Sequence, residues 1–206
     1  MKKDGIVYTV IFTFIVSFVF VGILAGVNSV TAEQTARNQK LAFQRAVLNA
    51  LHIKYKDNQE IFDLYQRDIK KSSRSTGNVV LYEYTNENEI FYIKEFSGQA
   101  LWGTVTGVLV VDQEVDRIVG LDIISHNETP GLGGRIDEAW YKNQFDGELL
   151  SPEGKISVGP GGSGDTDHQN HKVDGITGAS RTSSLMGIMI NAQLDIFKSM
   201  LKGGSK

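Results

Sequence analysis

The residues best placed to do chemistry lie in the stretch VDGITGASRTSS, residues 173–184, directly ahead of an apolar, helix-like pattern. Three of its hydroxyl side chains, Thr177, Ser180 and Thr182, could each cap the helix that follows. A helix N-terminus also presents free backbone N–H groups and a partial positive charge, which favour a bound phosphate. The stretch therefore predicts either an ordinary capped helix start or a site for a phosphorylated ligand.

A second stretch, HNETPGLGG at residues 126–134, combines polar side chains with three glycines. Backbone this open can approach a flat ligand closely, and Glu128 and Thr129 could hydrogen-bond to it. The alternative is a turn that simply ends a strand. The choice depends on whether this stretch lies beside residues 173–184 in the folded chain.

Two further patterns are weaker. GPGGSG at residues 159–164 satisfies the dinucleotide fingerprint GxGxxG, but no helical pattern follows the glycines as that fingerprint requires. The polar loop behind it carries side chains that could ligate a metal ion, although such clusters are common in solvated loops. These side chains are Asp165, Asp167, His168 and His171. We name no metal ligand, and we expect residues 159–175 to form an exposed, mobile loop.

The composition excludes several classes of protein. The 206 residues include no cysteine, so disulfides, iron–sulfur ligation and a cysteine nucleophile are excluded, and any redox chemistry needs an organic cofactor. Neither the Walker motif nor the GxSxG elbow occurs, so a nucleotide hydrolase or serine hydrolase has no motif to support it. A formal net charge of -3 without a basic face argues against nucleic-acid binding.

The N-terminal part carries an apolar run from Ile6 to Val27 without a charge. About 22 residues suffice for a helix to cross a hydrocarbon core of about 30 Å. Lys2 and Lys3 precede the run, which predicts that residues 1–5 are cytoplasmic and that everything after Asn28 is periplasmic. A cleaved signal peptide is the alternative, but the run exceeds the usual signal core. We expect a retained, single-pass anchor in the inner membrane.

The remaining pattern predicts an α+β domain, a mostly antiparallel sheet with flanking helices, over residues 76–206. Residues 28–75 are predicted to form a helical connector, amphipathic over residues 33–56. Two strand pairs are predicted in residues 78–96 and 101–126. A helical stretch near residues 137–145 and a short strand at residues 155–158 follow.

The last predicted helix runs from about Ser180 to Lys202, with Gly203 and Gly204 as its stop. Apolar residues recur along one stripe of this helix. The stripe consists of Leu185, Ile188, Met189, Ala192, Ile196 and Met200.

Residues 174–182, DGITGASRT, match the pattern Dxx[ST]GA[TS]xT at every defined position. This pattern resembles the acceptor motif for covalent FMN in the membrane-anchored flavin subunits of bacterial respiratory sodium pumps. HNETPGLGG at residues 126–134 resembles the second signature of that family, and the N-terminal anchor resembles its third element. The resemblance implies an FMN-binding domain whose last motif threonine, Thr182, carries FMN through a phosphoester made by a separate flavin transferase from FAD.

The same resemblance implies which residues bind the cofactor. The phosphate side is formed by Asp174, Thr177, Gly178, Ala179, Ser180 and Thr182, and the ring side by Glu128, Thr129, Pro130, Gly131, Leu132 and Gly133. Ser180 stands where threonine is commoner, and Arg181 is a bulky cation that could pair with the phosphate.

The implied function is one-electron transfer by covalent FMN in a multi-subunit respiratory complex, with other integral membrane subunits as partners and no catalytic residue of the chain's own. Two branches of the family compete: the C-type flavin subunit of the Na⁺-translocating NADH:quinone reductase (NqrC-like) and the G-type subunit of the Rnf ferredoxin:NAD⁺ oxidoreductase. LWG at residues 101–103 favours the first. A non-enzymatic, anchored extracytoplasmic module without flavin is the remaining alternative.

Overall fold

A computed structural model describes residues 5–201. Residues 1–4 of the predicted cytoplasmic segment 1–5, with Lys2 and Lys3, lie outside this part, as does the predicted helix stop at Gly203 and Gly204. The helices are α1 (Ile6–Ala50), α2 (Asn58–Asp68), α3 (Ala139–Lys142) and α4 (Ser180–Leu201). The strands are β1 (Ile69–Lys71), β2 (Tyr82–Asn86), β3 (Glu89–Gln99), β4 (Thr104–Val111), β5 (Ile118–Ser125), β6 (Ser157–Gly162) and β7 (Lys172–Ile176). Short 3₁₀ turns at Gly133–Asp137 and Asn143–Phe145 flank α3.

Helix α1 runs unbroken through the predicted anchor and into the amphipathic stretch behind it, and it ends at Ala50 rather than at the predicted residue 56. Within residues 5–201 it is the one helix long and apolar enough to cross a membrane. Phe14 and Phe18 are both mostly exposed, as on a helix whose apolar surface has no protein neighbour. Contacts divide the chain into two compact units after Lys40. Beyond that point, the last turns of α1 bury Val47 and Ala50 in the second unit.

The second unit is built around a five-stranded sheet in the order β1-β2-β3-β4-β5, with every neighbouring pair antiparallel. This confirms the α+β class and both predicted strand pairs. Val108 and Val110 of β4 pack beneath α1, whereas Leu109 and Val111 point into the larger core that α4 covers. Both faces of the sheet are therefore buried, which explains why the sequence of β4 is a continuous apolar run.

Strand β1 lies inside the segment predicted to be a helical connector. That segment is helical in α1 as far as Ala50 and again in α2, which Asp57 caps by accepting a hydrogen bond from the Glu60 backbone N–H at 2.9 Å. The chain then leaves α2 directly into β1, which pairs with β2 from Ile69 to Lys71. Three residues are too few to show the alternation that predicts a strand.

The prediction of a loop over residues 159–175 was wrong at both ends. Strand β6 continues through the glycines to Gly162, and β7 begins at Lys172, and the two strands pair in parallel. The glycines permit this pairing because there is no room for side chains. A Cβ on Gly161 would come within 2.6 Å of the Thr177 Cα, and one on Gly175 within 2.9 Å of the Gly159 carbonyl oxygen.

Helix α4 begins at Ser180, as predicted, but its fully buried stripe is not the predicted one, from which Met189 and Met200 pack partly buried against the core. Its buried apolar residues are Met186, Ile190, Leu194 and Phe197, whereas Ile188 of the predicted stripe is 63% exposed. Both sets have helical spacing, so the period alone does not distinguish them. The contact with the sheet decides which stripe is buried.

A polar clamp, defined here as Asn49, Asp122 and Lys142, joins α1, β5 and α3. The buried Asp122 carboxylate accepts hydrogen bonds from Asn49 Nδ2 at 2.8 Å and from Lys142 Nζ at 2.6 Å. Burial alone would lower the pKa of Lys142, but the hydrogen bonds and charges of Asp122 and Asp137 together raise that pKa. The clamp thus fixes the last turn of α1 against the domain.

Candidate functional site

The turn between β7 and α4 sets the position of the predicted acceptor. Gly178 has a φ of 81°, in the left-handed region that glycine adopts without strain. The Ser183 hydroxyl accepts a hydrogen bond from the Ile176 backbone N–H at 2.8 Å and donates one to the Ala179 carbonyl at 3.0 Å. Ser183 is buried, so these two bonds hold the turn firmly against the first turn of α4.

Thr182 lies in that first turn and is only 1% exposed. Its hydroxyl donates a hydrogen bond to Oε2 of Glu128, with 2.6 Å between the two oxygens. Glu128 is 4% exposed, and its other oxygen, Oε1, accepts a hydrogen bond from the Trp102 backbone N–H at 2.7 Å. The two stretches singled out in the sequence therefore meet in space, through the Glu128–Thr182 pair.

Gly133 makes this contact possible. A Cβ at this position would lie 2.6 Å from Oε2 of Glu128 and 2.7 Å from Oγ1 of Thr182, closer than real side-chain contacts. The second glycine of PGLGG is thus required by the close approach of the Glu128–Thr182 pair. A glycine that the sequence would assign to a flexible turn is here a packing requirement.

The N-terminus of α4 offers unused hydrogen-bond donors beside Thr182. The backbone N–H groups of Ser180, Arg181 and Thr182 have no acceptor among residues 5–201. The Arg181 side chain is exposed and lines the same place. Free N–H groups, the helix dipole and a guanidinium together favour an anion such as a phosphate.

A cavity of about 110 Å³ opens between the two stretches. Its polar floor includes Glu128 and Thr182, while Leu101, Trp102 and Leu132 supply apolar surface; Trp102 is 68% exposed. Exposed apolar side chains around a small pocket with a few polar groups suit a flat ligand tethered at its phosphate end. A larger cavity of about 320 Å³ lies along β6 and α4, but Thr182 does not line it.

Most of the predicted binding residues line the smaller cavity, and four do not. The lining includes Glu128, Thr129, Leu132, Gly133, Gly178, Ala179, Ser180 and Thr182. Outside it, the Asp174 carboxylate accepts a hydrogen bond from the Gly164 backbone N–H at 3.2 Å, and Thr177 packs against Gly161. Pro130 and Gly131 are exposed in the turn after Glu128, where Gly131 has a φ of 74°.

The sequence motifs gave no binding role to Leu101 and Trp102, although both line the cavity. They precede β4 and are far from both motifs along the chain, so only the folded sheet brings them to the site. The sequence signal for these two residues was the LWG segment. Its two large apolar side chains are exposed in the structure.

The polar side chains of the loop between β6 and β7 contact groups of the protein itself. Asp165 accepts a hydrogen bond from Asn170, His168 faces Glu148, and the His171 ring contacts the Leu149 carbonyl. Within residues 5–201 no group of three or more such side chains could hold a metal ion. The glycines of GPGGSG enter a strand and a loop rather than the start of a helix, so the dinucleotide fingerprint lacks its helix.

Residues 101–195 match the FMN-binding domain family. The C-type subunit of the Na⁺-translocating NADH-quinone reductase of Vibrio alginolyticus is 28% identical to this chain over 123 residues, which is 58% of this chain and 47% of that protein. The same subunit from Pseudomonas aeruginosa is 35% identical over 91 residues, 42% of this chain and 34% of that protein. The chain thus spans about half or less of the length of these curated relatives.

Two crystal structures share the fold. NqrC of Shewanella oneidensis superposes with a TM-score of 0.68 at 18% identity, covering 82% of this chain and 98% of that one. The corresponding C-type subunit of the Na⁺-translocating NADH-quinone reductase of Parabacteroides distasonis gives 0.66 at 22% identity, covering 85% and 97%. At these identities the likeness establishes the fold.

Proposed function

We propose that this chain is the one-electron carrier of a sodium-translocating NADH:quinone reductase, because residues 101–195 match the FMN-binding domain family and the chain resembles the C-type subunits of those complexes. In this proposal FMN is attached covalently to Thr182 through a phosphoester. The FMN supplies the redox chemistry, and the chain binds, orients and tethers it.

One observation carries the proposal. The Thr182 hydroxyl lies between the two motif stretches, 2.6 Å from Glu128, beside the unused N–H groups of the α4 N-terminus. A phosphate joined to Thr182 would meet those N–H groups and the Arg181 guanidinium, the donors that such an anion needs. The exposed Thr177, an earlier hydroxyl residue of the motif, does not line the cavity.

We assign the two ends of the cofactor from the cavity lining. The phosphate end belongs at Thr182, so Glu128 stands at the point of attachment rather than along the ring. Leu101, Trp102 and Leu132 offer the apolar surface for the isoalloxazine ring. Asp174 and Gln144 act behind the site, where the Gln144 side chain accepts a hydrogen bond from the Asp174 backbone N–H at 2.6 Å and holds β7 in place.

The cellular setting is part of the proposal. Residues 6–27 of α1 anchor the chain in the inner membrane by a single pass, with the domain on the periplasmic side and other integral subunits of the complex beside it. A flavin transferase attaches the FMN from FAD. The similarity to the Vibrio and Pseudomonas proteins favours the quinone reductase over the G-type subunit of the Rnf complex.

The first prediction concerns the acceptor. Co-expression of the full chain with a flavin transferase should give a denatured band that fluoresces as flavin and a mass increase of one FMN less one water. Thr182→Val should abolish both signals because it removes the hydroxyl at nearly unchanged shape. Intact-mass spectrometry and in-gel fluorescence measure the outcome.

Two matched variants serve as controls. Thr182→Ser keeps a hydroxyl and should be labelled, and Thr177→Val should leave the adduct on Thr182. A wild-type chain that remains dark with its unmodified mass would refute covalent flavin and leave the anchored, flavin-free module. Labelling that survives Thr182→Val would move the attachment to another residue.

A further inference from the structure

The hydrogen bond between Glu128 and Thr182 places a carboxylate beside the proposed acceptor hydroxyl. A threonine hydroxyl is a weak nucleophile at neutral pH and needs an adjacent base to attack phosphorus. This chain itself supplies a basic group beside Oγ1, because Oε2 of Glu128 already accepts a hydrogen bond from the hydroxyl at 2.6 Å. That distance lies within the reach required of a general base.

The surroundings of Glu128 support such a role. The backbone N–H of Trp102 holds Oε1 at 2.7 Å, so the carboxylate is oriented and Oε2 faces Thr182. Gly133 leaves space over both oxygens of the pair, and the cavity of about 110 Å³ opens onto them. The hydroxyl is thus oriented by its base and lines the space from which a phosphate group would approach.

We propose that Glu128 is the general base for flavin attachment to Thr182, a role that rests on the proposed function. The co-reactant is a flavin dinucleotide, in which the FMN phosphate is joined to AMP through a pyrophosphate. Thr182 Oγ1 forms a bond to the FMN phosphorus while the bond from that phosphorus to the bridging oxygen breaks. The hydroxyl proton passes to Oε2 of Glu128, and AMP leaves with the bridging oxygen.

The charges after transfer fit the same assignment. A carboxylate pressed against a new phosphodiester would place two anions together in a buried site, which is unfavourable. Glu128 that has taken the Thr182 proton is neutral and can donate it in a hydrogen bond. Glu128, which accepts the proton in the attachment step, thereby becomes a hydrogen-bond donor near the attached phosphate and still faces Thr182.

Two substitutions separate basicity from shape. Glu128→Gln keeps the length of the side chain and one acceptor oxygen, and its amide N–H can still donate to the Thr182 oxygen, but it cannot accept the proton. Glu128→Asp keeps a carboxylate but shortens the side chain and loosens the contact. If Glu128 acts as a base, the aspartate variant is modified faster than the glutamine variant, and a purely packing role predicts the reverse.

The experiment uses the full-length chain in detergent, purified without flavin, with purified flavin transferase and FAD. The rate of adduct formation is followed by intact mass for wild type, Glu128→Gln, Glu128→Asp and the exposed control Glu114→Gln. We expect Glu128→Gln to slow attachment roughly 100-fold or more, the range of general-base catalysis. Glu128→Asp should be slowed less, and the control should match wild type. Thermal unfolding of each variant establishes that it is folded.

The outcomes distinguish this inference from the proposed function. A wild-type chain labelled on Thr182, with Glu128→Gln as fast as or faster than Glu128→Asp, overturns the base while leaving covalent FMN intact. A wild-type chain that is never labelled overturns both. Labelling of wild type with the aspartate variant clearly faster than the glutamine variant supports both.

Discussion

The geometry of the site depends on a glycine at position 133. Gly133 has no Cβ, and this absence lets the Glu128 carboxylate and the Thr182 hydroxyl share a buried hydrogen bond. Each of the two side chains is under 5% exposed, so an unpaired polar atom here would be costly. Chemistry at this site depends on a glycine that itself carries no functional group.

Gly133→Ala is therefore expected to disturb the site although it is the smallest possible substitution. The new methyl would lie 2.6 Å from Oε2 of Glu128 and 2.7 Å from Oγ1 of Thr182, and the pair must separate. We expect a loss of about 1–3 kcal/mol in the free energy of unfolding, as for other overpacked sites, together with strongly slowed flavin attachment. Urea unfolding and the mass-based labelling assay measure the two effects.

Gly131→Ala is the matched control for that variant. Gly131 lies two residues earlier in the same turn, and a Cβ there would meet no atom within 4 Å. Its φ of 74° makes alanine strained, so about 1 kcal/mol of stability should be lost. Because the Glu128–Thr182 pair is untouched, Gly131→Ala should still be labelled. Equal labelling defects in both variants would show that backbone strain, and not the clash, matters.

Among the elements, the polar clamp decides how the end of α1 is fastened to the domain. Asp122 is buried in β5 and receives hydrogen bonds from α1 through Asn49 and from α3 through Lys142. Next to it, Gly120 lets the end of α1 approach, since a Cβ there would lie 2.2 Å from the Ala50 carbonyl oxygen. The helix that carries the predicted anchor thus ends in a polar and close-packed contact.

Lys142→Met is predicted to destabilise the second unit by about 2–3 kcal/mol, because it leaves the Asp122 charge buried without its cation. Asp122→Asn combined with Lys142→Met should recover much of this loss, since the double variant buries no net charge. Chemical denaturation of the wild type, both single variants and the double variant gives the coupling energy. If the losses of the two single variants simply add in the double variant, the interaction between Asp122 and Lys142 contributes nothing to stability.

At the scale of the whole molecule, the chain combines an apolar helix with a domain that has its own core. The first unit ends at Lys40 and carries the exposed apolar surface, whereas the two hydrophobic clusters contain buried residues from Ala46 onward. An apolar run of this length without a charge is expected to partition into a bilayer.

The corresponding prediction is that the full chain sediments with membranes and resists extraction by salt or alkaline carbonate. A variant that begins at Leu41 should instead remain in the supernatant and unfold in one cooperative transition, since its core is complete. Membrane fractionation and circular dichroism test the two parts separately. Full-length chain released by salt alone would refute the anchor.

Much of the fold follows from local patterns. The apolar run, both strand pairs and the start of α4 rest on neighbouring residues, so composition and periodicity predict them. Local patterns do not predict β1, because its three residues are too few to show a period. They also do not predict the part of β6 that runs through GPGG, because glycines normally weaken strands. The buried face of α4 also depends on a partner, since Met186 and Ile188 both belong to apolar stripes of correct spacing.

By itself the sequence determined the α+β class, the apolar helix and the residue types of two motifs, because these depend on residues close together along the chain. Tertiary structure alone decided that Glu128 meets Thr182, that Leu101 and Trp102 line the cavity, and that Asp174 stands behind it. Contacts between residues more than 50 positions apart follow from sheet register and helix packing, which no local pattern encodes. The threonine was visible in the sequence, and its proposed base was visible only in the fold.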